Sequence, residues 1–180
     1  MADSFEQLTS EQKLFARTMF ENKIRRAYGQ QYEDLFVNVM TRCDERFRSV
    51  KPQGSIGDQG NDGYVAEEGR YFQVFSPQEP ADTKSRADAA KKAKDNFATL
   101  YEHWHNDFAI TDFRFVFNDK YLGAVTEIEH ALNDIKNEHG LAESKPFLAR
   151  DLEREFMKLS VADMEAILTT VIPRPEHIED

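Results

Sequence analysis

Gly54, Gly57, Gly60 and Gly63 fall within ten residues, and the chain keeps a different rhythm on each side of them. Clustered glycines permit backbone angles that other residues rarely adopt, so this stretch is expected to be a turn with unusual geometry. Before it, apolar residues recur every three or four positions. After it, short runs rich in aromatic and β-branched residues follow. A chain that changes period across such a turn is expected to pack helices against a sheet, which predicts an α/β domain.

Ahead of the turn, Leu14, Phe15, Met19, Phe20 and Ile24 predict a helix from Ser10 to Ala27, opened by a capping box of Thr9 and Gln12 and ended at Gly29. Tyr32, Leu35, Phe36, Val39, Met40 and Cys43 predict a second helix with one buried face and with Glu33 and Asp34 beside it. Residues 46 to 51 suggest a short strand. Gly63 to Ala66 and Arg70 to Ser76 predict a hairpin joined through Glu67, Glu68 and Gly69 and ended by Pro77 and Pro80.

Beyond a polar connector, a helix is expected from about Asp88 to Trp104, with Ala90, Ala93, Phe97, Leu100 and Trp104 on one stripe and Lys91, Lys92 and Lys94 mostly off it. Asp112 to Asn118 predicts a buried strand, and Leu122 to Glu138 a helix terminated by His139 and Gly140. Residues 146–149 suggest a last strand, followed by helices over 150–159 and 161–171, the second started by Ser160 with Asp163.

With 180 residues, 40% of them hydrophobic, the chain is expected to form one domain over 1–180, with a core at 28–118 and a C-terminal strand and helices at 120–172. The formal charge of −10 argues against a generally basic surface that grips nucleic acid through its phosphates. Cys43 is the only cysteine, so neither an intramolecular disulfide nor a thiolate metal cluster is expected. The polar N-terminus and the lack of any apolar run of about 20 residues predict a cytoplasmic protein without membrane contact.

The order of elements resembles that of the restriction-endonuclease-like fold, which implies a mixed central sheet flanked by helices, here with extra C-terminal helices. More narrowly, the stretch resembles the Mrr-type branch of the PD-(D/E)XK nucleases, in which a helix carries glycine shortly before glutamate, a glycine-aspartate turn follows, and a strand reads Q-x-K. Here Gly29 precedes Glu33, GDQGNDGY supplies Asp58 and Asp62, and FQVF supplies Gln73. The resemblance spans roughly residues 28–118. The blocks GDQGNDGY and FQVFSP also resemble those of small prokaryotic proteins that accompany ATPases in defence cassettes.

That resemblance implies Asp62, Gln73 and Glu33 as catalytic or metal-site residues, with Asp58 as a further metal ligand, and Mg²⁺ as the cofactor if the site is active. The position two beyond Gln73 holds Phe75 where the pattern has lysine, and both side chains share one face of the strand. Phenylalanine cannot stabilise developing phosphate charge. A lysine from elsewhere, Lys51 or Lys84, is the candidate replacement, and these two with Lys91 are candidate nucleic-acid contacts. The expectation is therefore a catalytically inactive or impaired subunit that acts by binding protein, with DNA possible, beside an ABC- or SMC-type ATPase and a separate effector. The alternative is a working Mg²⁺-dependent DNA endonuclease with a relocated lysine. Plain readings stand beside these: Asp58 and Asp62 suit a turn, Gln73 a buried amide, Glu33 a helix surface, and the lysines a solvated face.

Overall fold

The computed structural model describes residues 7–51, 60–123 and 125–174. Helices α1 (Ser10–Arg26) and α2 (Gln30–Cys43) lead into a short edge strand β1 (Arg48–Ser49), and a hairpin follows, β2 (Gly63–Val65) and β3 (Arg70–Phe75), joined by a single 3-10 turn. Then come α3 (Thr83–Trp104), β4 (Asp112–Phe117), α4 (Thr126–His139), β5 (Glu143–Phe147), α5 (Ala149–Phe156) and α6 (Val161–Leu168). The protein is a mixed α/β fold: six helices around an open five-stranded sheet of order β1-β2-β3-β4-β5, antiparallel over its first three strands and parallel over its last three.

Two apolar layers sandwich the sheet. Phe72 and Val116 face a cluster built with α1, α2, α5 and α6, where Phe20 of α1 stacks on Phe156 of α5 at 4.0 Å between ring centroids. Tyr71, Phe113, Phe115 and Phe117 face the opposite layer, closed by Ala89, Ala93, Phe97 and Leu100 of α3 and by Ile128, Leu132 and Ile135 of α4. The alternation along β3 and β4 sets which face each residue meets.

Local signals formed as expected where they were self-contained. Thr9 and Gln12 make the capping box, Ser160 accepts from the amide of Asp163, and Gly140 closes α4 in the left-handed region. Other expectations need correction. The buried stripe of α1 is Ala16, Phe20 and Ile24, and Leu14 is 62% exposed. α3 starts at Thr83, five residues before Asp88, and buries Ala89 more deeply than Ala90. α4 starts four residues after Leu122, because Lys120 and Tyr121 take left-handed angles (φ 50° and 64°) and Leu122 stays exposed. The last strand runs 143–147, leaving Ala149 to open α5.

Candidate functional site

The β2–β3 register ends with Gly63 opposite Phe72, and Asp62, just beyond it, bonds to β3 on either side of Gln73. Asp62 is 2% exposed. Its carboxylate Oδ2 accepts from the Val74 amide at 2.6 Å, its own amide donates to the Phe72 carbonyl at 2.9 Å, and its carbonyl accepts from the Val50 amide at 3.2 Å. The residue thus ties three strands together at the point where β2 leaves the ladder, and the charged acceptor makes the Val74 bond a strong one.

The turn that delivers Asp62 needs its glycine. Gly60 sits at φ +78°, and a Cβ there would meet the Asn96 carbonyl of α3 at 2.5 Å, so the turn lies directly on the helix backbone. Asn61, fully buried, accepts from the Gly63 amide at 3.0 Å, the local bond an asparagine turn uses. Its Nδ2 has no partner.

Gln73 is buried with Tyr71 and Phe75 on the α3 side of the sheet. Its amide nitrogen reaches the Val74 carbonyl at 3.3 Å, and its Oε1 is unpaired. Phe75 packs along the rings of Phe115 and Phe117 at 6.4 and 6.3 Å between centroids. Over it stands the ammonium of Lys92, 5.2 Å from the ring centroid. Lys92 and Asn96 are one helical turn apart, so α3 lays one over Phe75 and the other against Gly60. At the same end of β3 the Gly29 amide donates to the Ser76 carbonyl at 2.7 Å, which docks the start of α2 there.

Glu33, half-buried in the first turn of α2, and Lys51 line one groove of about 570 Å³ between α2 and the end of β1. Val50, which bonds to Asp62, also lines it. The structure therefore joins Asp62 to Gln73 and Glu33 to Lys51, but it does not gather the other candidates. Lys84 is exposed at the second position of α3, and Lys91 pairs with Asp95 on the helix surface. Asp58 lies outside the described residues. The cation at the hairpin, Lys92, was hidden in the 91–94 lysine band. Its signal was helical phase, since it falls between the buried Ala89 and Ala93.

The donor set is thin for a resident Mg²⁺. Asp62 commits one oxygen to a backbone amide, Gln73 offers one amide oxygen, and no group of three histidine, cysteine, aspartate or glutamate side chains fit to hold a metal is found among the described residues. Cys43 is equally quiet: burial pushes its thiol up to about 11, and it donates to the Glu155 carbonyl. No described helix is long and apolar enough to cross a membrane. No family model, no curated protein and no solved structure matches the chain.

Proposed function

We propose that this protein is a restriction-endonuclease-like domain whose nuclease cleft is disarmed, and that it acts as a binding subunit in a prokaryotic anti-phage assembly with an ATPase and a separate effector. The element order supports the fold: a helix, three antiparallel strands, then a helix leading to a parallel strand, with Asp62 bonded to β3 at Phe72 and Val74, on either side of Gln73. One observation carries the loss of activity. Phe75, two residues beyond Gln73 and on the same face, is packed into an aromatic row where a nuclease of this type would project an amine.

A second reading has a specific observation behind it. Lys92 brings an ammonium over Phe75 from the neighbouring helix, which is where a relocated lysine would have to come from for the protein to be an active Mg²⁺-dependent endonuclease. Plasmid incubated with the purified protein and Mg²⁺ or Mn²⁺ separates the two. The binding-subunit reading predicts intact plasmid with the wild type and with Asp62→Ala. Nicking by the wild type that is lost in both Asp62→Ala and Lys92→Met establishes the endonuclease instead. Co-purification with the products of adjacent genes then tests the partner half of the proposal.

A further inference from the structure

A second site lies at the opposite end of β3. Where the strand begins, its outward residues on the α1–α2 side are charged, and three neighbouring strands present Phe72, Arg114 and Lys145 in register as one row. This row floors a groove of about 770 Å³ between the sheet and the ends of α2 and α5, a volume typical of small-ligand sites. Although the chain carries a net −10, the groove is lined by six cationic side chains against four acidic ones. Asp44 and Glu153 are held by Arg46 and Arg150 from outside the lining, while Asp151 and Glu155 take Arg154 and Lys158, which leaves Arg17, Arg70, Arg114 and Lys145 as the lining cations not spent on lining acids.

Arg114 is oriented in advance. Asp112, 6% exposed, takes its Nε at 2.6 Å and its Nη2 at 2.8 Å, which leaves Nη1 without a partner among the described residues. The same carboxylate holds Arg70, whose other edge is fixed by Glu68. A guanidinium locked this way costs little further ordering when it meets an anion. Lys145, half exposed, stands one strand away, about 4.8 Å across the sheet, in an exposed pair with Glu143 at 3.3 Å of the kind an incoming anion can displace at little cost. The half-buried Phe147 and Met157 give the groove an apolar flank.

We infer that this groove binds a small organic phosphate, with the phosphate between Arg114 and Lys145 and a flat apolar body against Phe147 and Met157. Two cations side by side suit a dianion. The row crosses β3 at Phe72, about 3 to 10 Å along the strand from Gln73 and Phe75, but it lies on the opposite face of the sheet, which separates it from the nuclease-like cleft.

Calorimetry with adenosine monophosphate, inorganic phosphate and adenosine tests the inference. The expected result is a Kd for the monophosphate below about 1 mM, weaker binding of phosphate and none of adenosine. Lys145→Gln, at an exposed position, should weaken the monophosphate at least about tenfold, while Lys84→Gln leaves it unchanged. Arg114→Lys, which keeps the charge but loses the fork, should also weaken it. Its folding is checked by thermal melting, and if it fails to fold, Lys145→Gln decides alone. Absence of binding up to 10 mM, or binding unaffected by Lys145→Gln, or adenosine binding as well as its monophosphate, overturns the proposal.

Discussion

The two ends of β3 treat polar groups in opposite ways. At its start, alternating charges form one unbroken chain from Asp44 through Arg46, Glu68, Arg70 and Asp112 to Arg114, with every link between 2.6 and 2.9 Å. At its end, three buried polar atoms, Asn61 Nδ2, Gln73 Oε1 and Ser76 Oγ, have no partner among the described residues. A buried polar group left unpaired is costly, and natural proteins seldom keep several together without a use for them. The difference teaches that the first end is anchored by electrostatics and the second by packing, with its amides held in place by aromatic rings and a glycine turn.

The largest test of that contrast is Asp112→Ala. Burial alone would push the Asp112 carboxyl up, yet hydrogen bonds from Arg114 and then Arg70 outweigh it and hold the group below the usual carboxylate range. Removing it strands Arg114, only 16% exposed, and leaves Arg70 with Glu68 alone, so it should cost about 3 kcal/mol, at the low end of the buried case because Arg70 is a third exposed and keeps one partner. Urea denaturation reads this directly. Because the folded pKa is depressed, the stabilisation is complete above the unfolded value of about 4 and is lost as pH falls through the lower folded value. The mutant should therefore show a flatter stability profile below about pH 4 than the wild type. A loss under about 1 kcal/mol would mean the chain of charges is decoration on the sheet.

At the other end, Gly60→Ala tests packing. The new methyl group would press on the Asn96 carbonyl at 2.5 Å and the backbone would be held at φ +78°, so about 2 kcal/mol should be lost. Gln73→Leu should move the other way. It deletes the unpaired Oε1 and keeps the volume, so stability rises by about 1 kcal/mol in the same denaturation experiment. Equal destabilisation by both substitutions would show that Gln73 is satisfied after all and would erase the contrast between the two ends.

How much of this was readable from the residues follows from how local each cause is. The hairpin and α2 rest on neighbouring residues, a glycine-bounded strand and a three-and-four apolar rhythm, and both appear within a residue or two of the expected bounds. The left-handed turn at Lys120 and Tyr121 was not readable, because what stabilises it comes from afar. Arg25 of α1 and Arg150 of α5 stand 5.1 and 5.0 Å from the Tyr121 ring centroid. Likewise, Leu14 yields to Ala16 in α1 because α5 chooses the face, through Phe156 on Phe20. The early start of α3 carried no apolar residue but Ala87 to mark it: its first turns read TKSRAD. At the candidate site, the shared face of Gln73 and Phe75 followed from strand alternation, whereas Lys92 required the phase of α3 to within one residue, and Lys91, one position away, points to a different surface.

Lys92→Met therefore carries the smallest expected stability change and the sharpest functional contrast. The methionine keeps the length and apolar stem that cover Phe75 and removes only the charge. An ammonium over a ring at an exposed position contributes about 0.5 kcal/mol, so the folded protein should barely notice the exchange. If the end of β3 is a packed, disarmed remnant, nothing else changes either, and the plasmid stays intact with both proteins. If instead the lysine stands in for the missing amine, cleavage falls by orders of magnitude while stability holds, because a charge that acts on a transition state has almost no weight in the folding equilibrium of an exposed side chain. An effect on stability well above 0.5 kcal/mol would contradict both readings, since it would mean that Lys92 is buried in a network that the ring contact alone does not describe.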